Sequence, residues 1–368
     1  MHPRTLLAAA LAVGLAGGSS VLGAAAASAA TAGYTVTDLG TLGYISSSGG
    51  GLNAAGEVGG VSSLSETLPA TGCPPKYGVR KPCVVHPEHA FSYAAGTMTD
   101  LGTLGGMDSS ANAINTGGTL VGSAQLASGS THAAVFSGGT ITDLGTLDGA
   151  AAASNALAVN DNGQIAGWST APGATGNHAF LYTNGSMIDL GTIDGGTSSV
   201  ANGINDAGVV IGNSDTADSD ERGFVYQNGT VTDVGTLGGP NSSVNAINDA
   251  GVVTGSSQDA GDTSHPFVYS NGKMTSLGTY NIDTTPQAIN DAGVIVGQTY
   301  GVNTAGDPFE DAFIYRNGTF TDLNTLIPAG SGWELTDAVS ITGTGEILAD
   351  ATNTTTGQNH AVLLTPAG

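Results

Sequence analysis

Basic residues are scarce in this chain of 368 residues, which has 7 Lys plus Arg against 30 Asp plus Glu and a formal net charge of -23. A protein with this charge repels nucleic-acid phosphates and anionic membrane surfaces. The composition therefore excludes both as partners. Aromatic residues make up only 5% of the chain, but hydrophobic residues make up 40%, which is enough for a folded core.

Long apolar runs are missing except at the N-terminus. Arg4 precedes an apolar run from Leu6 to Leu15, and Ala27-Ser28-Ala29 is a small-x-small cleavage pattern. Glycine and serine interrupt the stretch before it is long enough to span a membrane. We predict a secretory signal peptide at residues 1–29, a single domain at residues 30–368 and a secreted, extracellular or cell-surface location.

Cysteine is almost absent, and its two occurrences, Cys73 and Cys83, lie in a long insertion at residues 62–88. In an oxidising compartment they are predicted to close this loop with a disulfide. The loop also carries one aromatic and three basic side chains: Tyr77, Lys76, Arg80 and Lys81. Such a basic loop on an acidic protein could contact an anionic glycan or partner, and a tethered insertion without binding function is the alternative.

An internal repeat dominates the remaining sequence. A D-L-G-like string begins at seven positions: Asp38, Asp100, Asp143, Asp189, Asp233, Ser276 and Asp322. The strings I-N-D-A-G and H-A-F-x-Y, with their variants, also occur seven times each. Repeats of this length indicate one supersecondary unit per repeat.

Each repeat is predicted to contain four strands. In the clearest repeat these are Val244–Asn248, Gly251–Gly255, Pro266–Tyr269 and Lys273–Leu277. The Asn-Asp-Ala-Gly connection suits a type I turn, and Asn271-Gly272 is typical of a two-residue hairpin. Four antiparallel strands in a repeat of this size are typical of a β-propeller blade.

The two ends of the chain indicate how the repeat array closes. The first strand, Tyr34–Leu39, is an isolated last strand of a repeat, and His360–Thr365 is an isolated third strand. Pairing of these strands would complete a seventh unit and leave no free seam. We therefore predict an all-β fold, a monomeric seven-bladed β-propeller closed by its N-terminal and C-terminal strands.

The repeated strings resemble the HAF family of extracellular repeats, named for triplets such as His89-Ala90-Phe91 and His178-Ala179-Phe180. The D-L-G-T-L-G-G and I-N-x-x-G strings belong to the same pattern, and the resemblance covers essentially all of the chain from Tyr34 onward. It implies an exported repeat protein and brings no assigned reaction. The chain departs from the family pattern at three positions: Arg222, Ser276 and Asp311. It also departs from it in the long insertion of the first repeat.

The recurring histidines are predicted to be structural. Because they lie in separate blades, they cannot easily converge on one metal ion. Each instead faces the D-L-G aspartate of its own hairpin, which predicts His89–Asp100, His178–Asp189 and, across the chain ends, His360–Asp38 hydrogen bonds. Arg222 is predicted to form an ion pair with Asp233, and Asp311 opposite Asp322 is predicted to break the pattern.

Calcium is the only cofactor that the composition leaves open. Each I-N-D-A-G turn supplies one carboxylate, whereas calcium takes about six to eight oxygens, so turn formation is the favoured role. One loop is denser in carboxylates: Asp215, Asp218, Asp220 and Glu221. It lacks the D-x-D-x-D-G spacing, so it is a weak calcium candidate and a solvated acidic loop is the alternative.

The connections between second and third strands vary most in length, and the strand directions place all of them on one face. Length variation confined to one face of a repeat array is typical of a binding face. A column of side chains near this face is predicted to encircle the mouth of the central channel: Ser123, Trp168, Asn213, Ser256 and Gln298. Trp168 and Trp333 are the two tryptophans, and an aromatic ring beside amides suits a neutral sugar, with ordinary packing of Trp168 as the alternative.

Catalytic sequence signatures are missing, including G-x-S-x-G, H-E-x-x-H, a phosphate loop and a sialidase-type box. We predict a non-enzymatic scaffold that binds an extracellular glycan, cell-wall polymer or protein. One alternative is a polysaccharide hydrolase or lyase with carboxylates meeting at the channel, for instance among Asp307, Glu310 and Asp218. The other is a structural surface protein. Two carboxylates in one cleft would favour the hydrolase.

Overall fold

The computed structural model describes residues 33–65, 68–70, 83–303 and 305–367. The predicted signal peptide lies outside these residues. Most of the cysteine loop also lies outside them, so the disulfide and the binding roles of its side chains stay predictions: Cys73, Lys76, Tyr77, Arg80 and Lys81. Within the described ranges, no helix is long and apolar enough to cross a membrane.

The described chain is all-β, with one short 3-10 helix at Leu323–Leu326. It begins with the strands β1 (Tyr34–Asp38), β2 (Gly43–Leu52) and β3 (Val58–Leu64). The insertion carries the small hairpin β4 (Leu68–Ala70) and β5 (Cys83–Val85), and β6 (Glu88–Ala94) and β7 (Thr97–Asp100) follow. The strands β2, β3, β6 and β7 pair in this order and form the first unit.

Five separate four-stranded antiparallel sheets come next, each with its strands in chain order. The second unit contains β8 (Gly105–Ile114), β9 (Leu120–Leu126), β10 (Thr131–Ser137) and β11 (Thr140–Gly145). The third contains β12 (Ser154–Val159), β13 (Ile165–Thr170), β14 (Asn177–Thr183) and β15 (Ser186–Gly191). The fourth contains β16 (Ser199–Ile204), β17 (Val210–Asp215), β18 (Glu221–Gln227) and β19 (Thr230–Asp233).

The fifth unit contains β20 (Gly238–Ile247), β21 (Val253–Asp259), β22 (Ser264–Ser270) and β23 (Lys273–Ser276). The sixth contains β24 (Asp283–Ile289), β25 (Ile295–Val302), β26 (Pro308–Arg316) and β27 (Thr319–Asp322). The last three strands are β28 (Trp333–Ile341), β29 (Ile347–Asn353) and β30 (Asn359–Pro366). Together with β1 they form the seventh unit.

The seventh unit is built from both ends of the chain. β1 runs antiparallel to β30, with Val36 opposite Leu364 and Asp38 opposite Val362. The pairing predicted between these two strands is therefore present. A single parallel pair, Ser46 with Asn359, joins this unit to the first one, so that the two units share one eight-stranded sheet.

The repeated turns adopt the predicted backbone conformations. Asn271 and Gly272 both have left-handed φ values, 53° and 75°, as a type I′ hairpin requires. Gly251 at the end of the Asn-Asp-Ala-Gly turn also has φ of 75°. The predicted strand bounds are less accurate, because β20 starts at Gly238, well before Val244, and register irregularities interrupt its pairing with β21.

The buried phenylalanine present in five of the seven H-A-F-like strings explains the glycine of the second strand beside it. Phe91, Phe180, Phe224, Phe267 and Phe313 are all fully buried. A methyl group at Gly212 would overlap the carbonyl oxygen of Val200 and touch the Phe224 ring. The close approach of the first two strands, with an aromatic ring beneath them, therefore requires glycine at this position.

A serine in five of the seven first strands connects neighbouring units. The Ser154 hydroxyl accepts a hydrogen bond from Ala133 N at 2.8 Å, and Ser199 accepts one from Ala179 N at 2.8 Å. The same contact joins the last unit to the first, where Ala361 N donates to Ser47 Oγ at 3.0 Å. These buried bonds fix the spacing between sheets where backbone groups would otherwise lack a partner.

Candidate functional site

The recurring histidines form the predicted hydrogen bonds within their hairpins. Nδ1 of each ring lies 2.8 to 3.0 Å from the aspartate in the pairs His89–Asp100, His132–Asp143, His178–Asp189 and His360–Asp38. Each aspartate also accepts a backbone N–H two residues later, for instance Gly191 N to Asp189 at 2.8 Å. These hydrogen bonds hold the hairpins together through one nitrogen of each ring, and the other nitrogen of His132 and of His360 is buried without a hydrogen-bond partner in the described part of the chain.

Where the histidine–aspartate pair is missing, each unit has a different replacement. Arg222 lies 3.7 Å from Asp233, as predicted, and also 3.7 Å from Asp220. His265 has Ser276 in place of the aspartate, and its Nε2 is bonded to Asp259 at 2.9 Å instead. Hydrogen bonds from His265 and from backbone groups hold the pKa of Asp259 below its usual range.

Asp311 is the departure in which a second carboxyl group replaces the histidine. It occupies the histidine position and faces Asp322 on the adjacent strand. Burial, the Asp322 charge and the Glu334 charge raise the pKa of Asp311 to about 6, although a hydrogen bond from Asn324 Nδ2 at 3.0 Å opposes the rise. A carboxyl group with this pKa can exchange a proton near neutral pH.

Asp311 lines a cavity around Trp333, between the sixth and seventh units on the face of the variable connections. We call this 350 Å³ space the tryptophan cavity. Its polar lining groups are Asp311, Asn324, Ser331, Glu334 and Thr354. One aromatic ring with carboxylate, amide and hydroxyl groups around it can both stack on an apolar surface and accept or donate hydrogen bonds.

The position of Trp333 is fixed by its neighbours. The ring is partly buried, packs against the apolar core of the seventh unit and lies 5.5 Å from the His360 ring. Asn324 fixes the adjacent strand, because its Oδ1 accepts from Leu335 N at 2.7 Å and its Nδ2 donates to Leu335 O at 2.9 Å. The tryptophan cavity therefore has rigid walls on β26 and β28.

A second cavity, of 480 Å³, is lined by the sixth, seventh and first units, and we call it the serine cavity. It is lined mainly by hydroxyl and carboxylate groups: Ser46, Ser48, Ser63, Glu88, Glu310, Thr336, Asp350 and Thr352. Asp350 accepts hydrogen bonds from Ser48 Oγ at 2.6 Å and Gly49 N at 2.8 Å. Burial raises the pKa of Asp350, and these two bonds oppose the rise.

Asp337 lies directly opposite Asp350 in the β28–β29 pair. Burial raises the pKa of Asp337 to about 7, and the Asp350 and Glu310 charges contribute. The amide of Gln298, with its nitrogen turned toward these carboxylates, lies 3.3 Å from Asp337 Oδ2 and 3.3 Å from Glu310 Oε1. Gln298, a predicted site residue, thus contacts the Asp337 and Glu310 carboxylates, and the sequence did not predict that these groups lie close together.

The rest of the predicted column faces neighbouring strands. Asn213 Oδ1 accepts from Val244 N at 2.8 Å, and Ser256 Oγ donates to Thr284 O at 3.1 Å, both in the next unit. Ser123 Oγ is 3.1 Å from Ser110 Oγ in its own unit. Trp168 is partly buried and pairs with Asn155 and Ala179 across the sheet. Asn213 and Ser256 are thus used in packing between sheets.

The acidic loop predicted as a weak calcium candidate is partly occupied by internal hydrogen bonds. Asp215 accepts from Thr197 N and Ser198 N, each at 2.7 Å, and from Thr197 Oγ1 at 2.6 Å. Burial raises the pKa of Asp215, but these bonds outweigh it and the net pKa is lowered. The described residues contain no group of three or more potential metal-binding side chains, and calcium binding by Asp215, Asp218, Asp220 and Glu221 stays a prediction.

A ladder of asparagines occupies the opposite face, and sequence reasoning missed it. Asn53, Asn115, Asn160, Asn205, Asn248 and Asn290 each donate from Nδ2 to the carbonyl oxygen at the same position of the next unit, at 3.0 to 3.2 Å. The last acceptor is Thr342. These turns surround a cavity of 330 Å³ to which every unit contributes. Besides the asparagines, its lining includes an apolar residue from each unit and four exposed aspartates: Asp161, Asp206, Asp249 and Asp291.

No protein-family model matches the chain, and no curated protein matches it. Among solved structures, TolB from Acinetobacter baumannii is 12% identical, with a TM-score of 0.43, over 76% of this chain and 60% of that chain. An Aleuria aurantia lectin in complex with Fucα1-6GlcNAc is 13% identical, with a TM-score of 0.36, over 69% of this chain and 94% of the lectin.

A Trypanosoma rangeli sialidase is 8% identical, with a TM-score of 0.41, over 88% of this chain and 54% of that chain. A prolyl endopeptidase also matches, and this chain spans 40% of its length.

Proposed function

We propose that the seven four-stranded units are the blades of one closed β-propeller. The pairing of β1 with β30 and the bond from Ala361 N to Ser47 Oγ support closure between the last and first units. A cavity lined by one turn from every unit supports a common central axis. In this arrangement the variable connections form one face, and the asparagine ladder forms the other.

We further propose that the protein is a secreted scaffold that binds an extracellular glycan in the tryptophan cavity. The observation that carries this proposal is the placement of Trp333 in one cavity with Asp311, Asn324 and Glu334. The indole face suits the apolar face of a sugar ring, and the polar groups suit its hydroxyls. Because the chain is strongly acidic, neutral sugars fit this site better than anionic ones.

The test is binding of the secreted chain to glycan arrays and cell-wall preparations. Trp333→Ala is expected to lower affinity about tenfold or more, because it removes the aromatic surface at the centre of the site. Since Trp333 also packs against the core, Glu334→Gln at an exposed position provides a second variant. Trp168→Ala is the matched control and is expected to retain binding; unchanged binding in both cavity variants would refute the proposal.

A hydrolase is the second candidate, because Asp311 and Glu334 are two carboxylates in one cavity. A glycosidase uses one carboxyl group as a proton donor and another as a base or nucleophile. The raised pKa of Asp311, about 6, suits the proton donor. Release of reducing ends from a bound polysaccharide, lost in Asp311→Asn, is the result that distinguishes a hydrolase from a scaffold.

A further inference from the structure

The serine cavity and the tryptophan cavity are neighbours on the variable face, although they share no lining residue. Glu310 lines the serine cavity, and the next residue, Asp311, lines the tryptophan cavity. Glu334 of the tryptophan cavity is the cross-strand partner of Thr352 of the serine cavity. The strands β26 and β28 therefore each contribute residues to both spaces.

The two cavities differ in their lining, and this difference suits successive sugar units of one polysaccharide. The tryptophan cavity offers an aromatic face, whereas the serine cavity offers hydroxyl and carboxylate oxygens. Thr352 Oγ1 lies 2.8 Å from Asn359 Oδ1, and Ser46 Oγ lies 3.0 Å from Ser63 Oγ, so these groups are already ordered by one another. Ordered oxygens of this kind accept and donate hydrogen bonds to sugar hydroxyls at a low entropic cost.

We propose that the serine cavity is a second subsite for the glycan held by Trp333, so that the ligand is an uncharged polysaccharide chain rather than a single terminal sugar. This inference rests on the proposed glycan binding. Glu88 and Glu310 are exposed at the serine cavity, where the Glu88 carboxylate and the Glu310 oxygen that does not contact Gln298 can accept hydrogen bonds from a chain crossing it. The same carboxylates, with Asp350, repel a uronic acid in this subsite.

The test compares affinity across cellulose-derived and chitin-derived oligosaccharides of increasing length, measured by titration calorimetry. Wild-type affinity is expected to rise over the first few sugar units and then to stay constant once both cavities are filled. The double variant Glu88→Ala and Glu310→Ala is expected to weaken binding of the long oligosaccharides about tenfold, the loss of one to two hydrogen bonds to charged acceptors. Its affinity for the shortest oligosaccharide that binds is expected to be unchanged.

Two comparisons separate this inference from the proposed function. The double variant Asp148→Ala and Asp283→Ala also removes two exposed carboxylates, neither of which lines a cavity of the site, and is expected to bind like the wild type. Trp333→Ala is expected to weaken binding of short and long oligosaccharides alike. If short and long oligosaccharides bind the wild type equally, the second subsite is refuted while glycan binding stands. If none of them binds, the proposed function fails and the subsite with it.

Discussion

Replacing Asp311 by asparagine is expected to stabilise the protein at neutral pH. Asp311 has a pKa of about 6 in the folded state against an ordinary value of 3.8, so its charged form is disfavoured by folding. That difference corresponds to roughly 3 kcal/mol at neutral pH. Because the side chain is only partly buried, solvent screens part of the cost, and we expect a gain of ~1–2 kcal/mol. Asparagine keeps the oxygen that accepts from Asn324 Nδ2.

The pH dependence identifies the cause of this gain. Between the ordinary pKa of the carboxyl group and about 6, the folded protein binds more protons than the unfolded chain, so the penalty grows as pH rises through this window. Urea unfolding of wild type and Asp311→Asn is therefore expected to differ at neutral pH and to coincide at about pH 4. Asp148→Asn, at an exposed site, is the control for net charge. A gain that persists at low pH, or no gain at neutral pH, would refute the electrostatic reasoning.

Two further predictions concern the framework, and urea unfolding measures both. Asn205→Ala removes a buried bond to Asn248 O and one from Val209 N, and is expected to cost ~2–3 kcal/mol, whereas Asn162→Ala in an exposed turn is expected to cost much less. Asp38→Ala removes the hydrogen bond to His360 that joins the chain ends. It is expected to lower the free energy of unfolding by ~1–2 kcal/mol, as much as Asp189→Ala does within the third unit. A much smaller loss for Asp38→Ala would show that the chain ends are not held like the other hairpins.

The repeated hairpins were predictable because residues close together in the sequence determine them. Asn271-Gly272 needs left-handed backbone conformations, and the histidine and aspartate of one hairpin are only 11 residues apart, as in His178–Asp189. A short connection between antiparallel strands leaves few other registers, so sequence spacing alone brings these groups together.

The asparagine ladder was not predicted, because each asparagine satisfies two requirements at once. Asn205 Oδ1 accepts from its own turn, which is the role that the sequence indicated, while Nδ2 reaches the next unit. A signal was present: asparagine is kept at Asn53 and Asn115, where the following residue is not aspartate and the Asn-Asp-Ala-Gly turn string is lost. Retention of the amide without the rest of the string indicates a contact outside the turn.

The candidate site depends on contacts between units, which the sequence does not specify. Asp311 was recognisable as a departure from the repeat, but its proximity to Trp333 follows from the packing of β26 against β28. Asn213 was predicted to face the channel, but it bonds to the first strand of the next sheet, because strand pleating directs its side chain there. The position in the repeat alone does not tell whether a side chain faces the central channel or packs between two sheets.

Outside its own turn, each asparagine of the ladder donates only to the unit that follows it, and the final acceptor, Thr342, has no amide with which to continue the series. This hydrogen bond between neighbouring units therefore does not depend on the total number of units. Gene duplication or loss of one whole repeat would preserve every remaining link, so the architecture can change in size during evolution by adding identical parts. A change in repeat number would also have to keep the contacts between the last and first units, the pairing of Ser46 with Asn359 and the bond from Ala361 N to Ser47 Oγ.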